Sequence, residues 1–236
     1  MKKIRKANLT ELKLYYPDGT KFGSEEEFVN FYEQVYFYEN GNTKLEKMMD
    51  DIRNKSALEL DDYGNILAWK TGGRYDKDKK TVSYQYGKIK LEKFEDFEGE
   101  KEKQLKDGPI KLLHKLTKCE KIGFVYGITL MYFISSGDYP IYDRFAHYAL
   151  LAIGNDFAPG KEIIKESKLI NGQIGSEDSA KKTFERYKKE FMSYLTGSGE
   201  NRLFQQDYSR SLDRALWSYG HLFNNNKRNR SRKITE

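Results

Sequence analysis

The sequence predicts a mainly α-helical chain with one or two short strands near its N-terminus. Three observations carry that expectation. Apolar residues recur in steps of three and four, as in Ala180, Phe184, Tyr187, Phe191 and Tyr194, which is the spacing of one helix face. Start signals precede several such runs: Ser24 stands three residues before Glu27, and Pro109 follows Gly108. These read as a capping box and as a proline in the first helical turn. Strand-like patterning is confined to residues 81–86, with a second candidate at residues 12–16, too little for a large sheet.

Taken in order, the first helix opens at Ser24 and runs through Phe28, Phe31, Tyr32 and Val35 to the break at Asn40-Gly41-Asn42. A second carries Leu45, Met48, Met49 and Ile52, and a third spans residues 58–69 and stops at Gly72-Gly73. Residues 95–107 are charged and are expected on the surface. A helix from Pro109 bears Ile110, Leu112, Leu113 and Leu116; after a break at residues 119–123, an apolar helix covers residues 124–135. Gly137 and Pro140 mark a loop. Asp143 then occupies the N-cap position of a helix reaching about Ile153, where a short acceptor side chain satisfies an open backbone N–H. Residues 154–177, rich in Gly, Lys and Ser, read as a long irregular connection. The final helix carries Leu212, Leu216, Tyr219 and Phe223. Residues 1–223 are expected to form one domain, and residues 224–236 a basic, disordered tail containing Lys227, Arg228, Arg230, Arg232 and Lys233.

Composition narrows the class. With 236 residues the chain can bury a core, and 18 Tyr and 14 Phe mean that much of it is aromatic. A disordered chain lacks such residues, so the mean hydropathy of -0.84 reflects a charged surface. The net charge of +6 fits a polyanionic partner. A single cysteine, Cys119, excludes an internal disulfide and a cysteine-built zinc site. His114, His147 and His221 are scattered without ligand spacing. The basic start, residues 1–6, is followed by no apolar stretch, so no signal peptide is expected. The apolar window at residues 124–134 falls short of the roughly 20 residues a membrane span needs. A soluble, cytoplasmic monomer without a membrane partner is expected.

The chemically informative stretch is Lys121-Ile122-Gly123-Phe124-Val125-Tyr126-Gly127, followed by a helix and then Tyr139-Pro140-Ile141-Tyr142-Asp143. Two helices joined by a tight, glycine-containing hairpin present backbone N–H groups at a helix start, a place suited to a DNA phosphate. A carboxylate follows one helix and one loop later.

On these residues the chain resembles the helix-hairpin-helix DNA glycosylase superfamily (HhH-GPD), whose hairpin reads Leu-Pro-Gly-(Val/Ile)-Gly-x-x-(Thr/Val)-Ala. In that register this chain reads Cys119-Glu120-Lys121-Ile122-Gly123-Phe124-Val125-Tyr126-Gly127. Twenty positions separate Gly123 from Asp143, as in the adenine-glycosylase and endonuclease III branches, and residues 139–143 are similar to the adenine-glycosylase loop. The resemblance is clearest over residues 109–153. It implies a two-lobed helical glycosylase fold, with the helix-hairpin-helix at about 109–135 and a catalytic loop at 136–143. It also implies DNA contacts from Lys121, Gly123, Val125 and Gly127, and a catalytic Asp143. Lys121 stands in place of the first hairpin glycine and Glu120 in place of the proline. The lyase branches carry a lysine where this chain has Val125, so the resemblance implies a monofunctional enzyme using water as nucleophile. No cofactor is expected to be required, although the hairpin could hold a monovalent cation.

Asp143 has two readings: a cap for the helix it begins, or the carboxylate that stabilises a sugar cation as a base departs. His147, four residues on, could face the same site. A second feature is the run Asp213-Arg214-Ala215-Leu216-Trp217-Ser218. Its Leu-Trp-Ser stretch is similar to one in the 8-oxoguanine-glycosylase branch, where an aromatic stacks on the flipped base and a polar residue one turn earlier reads its edge. Trp217 and Asp213 are therefore candidates for a base pocket, against the alternative of a core Trp and an Asp paired with an Arg. Trp69 is a further pocket candidate with Lys70 near DNA, against a buried Trp beside a snorkelling Lys.

The expected activity is excision of a modified base from double-stranded DNA, leaving an abasic site, in base-excision repair or in defence against phage DNA carrying bases such as glucosylated hydroxymethylcytosine. The alternatives are a non-catalytic helix-hairpin-helix DNA-binding protein, and a bifunctional lyase using another lysine such as Lys70.

Overall fold

The computed structural model describes residues 14, 17, 20–40, 43–154, 174–196 and 202–232. The chain is mainly helical. In order, the helices are α1 (Glu25–Asn40), α2 (Thr43–Asn54), α3 (Leu60–Thr71), α4 (Lys101–Leu105), α5 (Pro109–Thr117), α6 (Phe124–Ile134), α7 (Arg144–Gly154), α8 (Glu177–Tyr187) and α9 (Arg210–Arg232). The strands are β1 (Ala57–Leu58), β2 (Arg74–Asp76), β3 (Thr81–Tyr84), β4 (Gly87–Lys90) and β5 (Gly99–Glu100). The chain divides into two compact units. One comprises residues 1–41, 142–169 and 187–236; the other comprises residues 42–141 and 170–186.

In the first unit, α9 packs on both α1 and α7. α1 starts where Ser24 and Glu27 predict it. Ser24 Oγ accepts the Glu27 N–H at 3.1 Å, while the Glu27 carboxylate accepts the Gly23 N–H at 2.8 Å, one residue before the usual capping-box partner. The core is aromatic, as composition predicts. Phe28 meets Tyr219 edge-on at 5.2 Å and Tyr32 at 5.0 Å, and Phe22 closes the cluster at 5.6 Å from Phe28. α9 is buried on more than the expected stripe: besides Leu212, Leu216 and Tyr219, the side chains of Asp213, Arg214, Ala215 and Ser218 are covered.

α9 runs through Arg232, past Phe223, the last residue of its expected apolar stripe. Lys and Arg are good helix formers, and cations are favoured at a helix C-terminus, so lost apolar periodicity does not end a helix. Residues 233–236, the strand candidate at 12–16 apart from Leu14, and residues 155–173 of the irregular connection lie outside the described residues.

The second unit holds the hairpin helices and a meander. β2, β3 and β4 pair antiparallel in sequence order, with Val82 opposite Ile89, and both of these side chains are fully buried. α3 packs on β2 and β3 and ends at Gly72, whose φ of 64° gives the left-handed cap expected there. The charged run at 95–107 is less superficial than its composition suggests. Phe94, Phe97 and Lys101 are buried, and Tyr63 stacks beside both phenylalanines at 5.5 and 6.5 Å. Lys101 is covered because its ammonium caps α2, donating to the Arg53 carbonyl at 2.7 Å and reaching the Ser136 hydroxyl at 3.3 Å. α8 runs on through a π-helical turn, Lys188–Met192, into a last turn at Ser193–Leu195.

Candidate functional site

In the second unit, α5 and α6 are joined by a short turn over residues 118–123. α5 and α6 pack together because Gly127 leaves room: a Cβ there would lie 2.9 Å from Leu113 Cδ1 and 3.2 Å from Thr117 Cγ2. The turn is fixed by the Ile122 N–H, which donates to the Cys119 carbonyl at 3.1 Å. Lys121, which stands at the first glycine of the resembled pattern, adopts a positive φ of 65°. That left-handed conformation costs a non-glycine residue roughly 1–2 kcal/mol. Its Nζ donates to the Lys88 carbonyl at 2.8 Å and so ties the turn to edge strand β4. Gly123 is extended and is the N-cap of α6, its carbonyl accepting the Gly127 N–H at 2.9 Å, and no side chain caps the helix start. Val125 lies in that first turn, half-buried, with its carbonyl accepting the Thr129 hydroxyl at 2.8 Å. Cys119 is buried, which pushes its thiol up to about 11 and disfavours the thiolate at neutral pH.

Asp143 belongs to the first unit. It caps α7: Oδ1 accepts the Phe145 N–H at 2.8 Å, and its carbonyl accepts the His147 N–H at 2.9 Å. The carboxylate is neither buried nor fully exposed. Phe145, whose N–H that carboxylate accepts, belongs to an aromatic group drawn from three helices. The His221 ring is 4.0 Å from Phe145 and 4.2 Å from Trp217, and Tyr36 meets Trp217 edge-on at 5.4 Å. The Arg144 guanidinium covers the Phe145 ring at 4.7 Å and is itself exposed. Gly220 lets α9 reach this place, since a Cβ there would be 2.0 Å from the Phe145 carbonyl oxygen. The start of α7 is therefore fixed by its own cap on one side and by α9 backbone on the other.

Other candidates sit differently from expectation. Asp213 is buried and ion-paired with Arg210 one turn earlier, so its carboxylate is engaged where the pocket reading required it to face a base. Trp217 is half-buried within the aromatic group. Trp69, in the second unit, is half-buried, spends its indole N–H on the buried Glu46 carboxylate at 2.9 Å and sets its ring edge-on to Phe133 at 6.0 Å. His147 turns inward, its Nδ1 3.1 Å from the Tyr142 hydroxyl and its ring against Phe191, and does not face outward beside Asp143. A helix begun at Asp143 carries its fourth residue onto the buried face.

Sequence reasoning missed Phe145, His221, Tyr36 and Gly220. His221 could have been found, since it stands four residues after Trp217 and shares its helix face. Tyr36 joins only through tertiary packing. Among the described residues no group of three or more His, Cys, Asp or Glu could hold a metal ion, and no helix is long and apolar enough to cross a membrane. No family model, curated protein or solved structure matches the chain.

Proposed function

We propose that the protein is a monofunctional DNA glycosylase in which Asp143 stabilises the sugar cation formed as a modified base leaves. The observation that carries this reading is the state of the Asp143 carboxylate: partly exposed and fixed through one oxygen at the start of α7, two residues before Phe145, whose ring meets those of His221 and Trp217. Cleavage of an N-glycosidic bond leaves the electron pair with the base and positive charge on the sugar. A carboxylate already held in place stabilises that charge without reorganising, and it can orient the water whose oxygen forms the new bond at the anomeric carbon. The proton of that water goes to solvent or to the departing base. Half-exposed aromatic rings provide a flat surface for an extruded base. The α5–α6 hairpin, with an uncapped helix start, suits a phosphate. The resemblance over residues 109–153 and the valine at position 125 support base release by water without lyase chemistry.

A panel of duplexes carrying modified bases, phage genomes included, tests the proposal, with abasic sites scored by alkaline cleavage. Wild-type protein is expected to release at least one base. Asp143→Asn is expected to lower release by a factor on the order of 100 or more while keeping the helix cap, since Asn serves that position as well. No DNA adduct should be trapped by borohydride. Near-normal turnover by the Asn variant sinks the assignment. DNA binding with no base released by either protein identifies a non-catalytic binding module, a reading favoured by the cap that Asp143 already makes.

A further inference from the structure

A second surface in the same unit as the hairpin is unexplained by catalysis. The β3–β4 turn ends in Tyr84-Gln85-Tyr86-Gly87, and Tyr86 is 79% exposed. An exposed tyrosine on a two-residue turn presents a flat ring face to solvent, the kind of surface on which an unpaired base can stack. The ring is held by its surroundings: it lies edge-on to Tyr84 at 6.1 Å, and β4 is registered on β3 with Tyr84 opposite Gly87. Tyr126, in the first turn of α6, joins the group. Its hydroxyl is pushed up by burial and by the neighbouring Tyr84 and Tyr86 phenols.

Lysines frame these rings. Lys121 reaches Lys88 across the gap between hairpin and strand, and Lys88 and Lys90 alternate along the exposed side of β4. Residues 81–90 and 118–127 together carry Lys88, Lys90, Lys118 and Lys121 against a single acid, Glu120. Among the described residues, none of Lys88, Lys90 and Lys121 is ion-paired.

We propose that the face formed by the β3–β4 turn and the α5–α6 hairpin is a nucleic-acid surface, on which Tyr86 stacks against an unpaired base while Lys88, Lys90 and Lys121 meet the backbone phosphates. The lysines supply charge complementary to a polyanion, and an exposed phenol ring supplies the flat face that an unstacked base requires. The proposal rests on the DNA-binding part of the reading above and is independent of what Asp143 does.

The test uses the full chain and two duplexes of equal length, one fully paired and one with a central bulge containing 2-aminopurine. Wild-type protein is expected to quench the 2-aminopurine on binding. Tyr86→Ala should abolish the quenching and weaken binding to the bulged duplex roughly tenfold, with the paired duplex nearly unaffected. Tyr86→Trp should restore both. Lys88→Gln and Lys90→Gln should weaken both duplexes alike, each flattening the salt dependence by about one charge. Tyr38→Ala removes the other strongly exposed tyrosine, 91% accessible on α1, and should change nothing. Binding by Tyr86→Ala equal to wild type, absence of DNA binding by wild type, or preference for poly-glutamate over both duplexes each overturns the proposal. Tyr86-dependent binding without base release would leave this surface standing and remove the glycosylase. Base release by a Tyr86→Ala protein that also binds the bulged duplex as wild type does would do the reverse.

Discussion

Lys101 places an ammonium where α2 runs out of partners for its last carbonyls. Its bonds to the Arg53 and Ser136 oxygens offset part of the desolvation, yet burial still lowers the amine to about 8. The unfolded chain, near 10.5, holds its proton over the interval from about 8 to about 10.5, where the folded chain has released it. Stability contributed by this group therefore rises with pH across that window, and its penalty is complete below it. Comparing denaturation midpoints of wild type and Lys101→Met from pH 7 to pH 10 should show wild type gaining relative to the variant as pH rises; a constant difference would contradict the assignment. Asp213 makes a different forecast. Asn in its place removes the carboxylate charge paired with the buried Arg210 guanidinium, a loss of about 3 kcal/mol. Thermal melting should show a clear fall, with DNA binding and base release reduced together. A stable Asn variant with altered base choice would restore the pocket reading of Asp213.

Among the elements, α7 and α9 are joined by a contact that tolerates no side chain at residue 220. Gly220→Ala is expected to cost about 1–3 kcal/mol by overpacking and to displace the first turn of α7, Asp143 with it, so that base release falls further than stability alone accounts for. Gly154→Ala is the matched control. Its added methyl would find Leu203 at 3.8 Å, and a helical alanine should stabilise by about 0.5–1 kcal/mol. Equal melting temperatures for the two variants would remove the argument. Helix boundaries were legible wherever capping chemistry is local: Ser24 and Glu27, Gly108 and Pro109, Gly72, and Asp143 itself. β2 and β4 were not. Arg74–Asp76 and Gly87–Lys90 are mostly charged, and in β4 only Ile89 is buried, so alternation has a single apolar residue to register. Buried Glu46 and Lys101 were illegible for a related reason, since each is compensated by a partner distant in sequence, Trp69 and the Arg53 carbonyl respectively. At the site, the sequence carried Asp143 and Trp217 but not the meeting of Tyr36, Phe145 and His221, which come from three separate helices.

At the scale of the whole molecule, the second unit is drawn from two stretches of chain, and neither suffices. Residues 42–141 end beside Tyr139, whose ring is 5.6 Å from Phe184, and Phe184 and Ala180 are buried. A fragment of residues 42–141 is expected to fold poorly by circular dichroism and to gain helicity beyond the sum of the parts when a peptide covering residues 170–196 is added. Full cooperative folding of the fragment alone would contradict this. The first unit poses the same problem in time. α1 leaves the ribosome early, but Phe28 and Tyr32 pack against Tyr219, and Glu33 waits for Arg214, 181 residues later. Nearly the whole chain must therefore be translated before α1 can cover its aromatic face. During that interval α1 is a nascent segment available to chaperones or to neighbouring chains. Yield in a cell should consequently depend on elongation speed and chaperone supply, and a stalled or truncated message lacking α9 should give aggregates even though every residue of α1 is present.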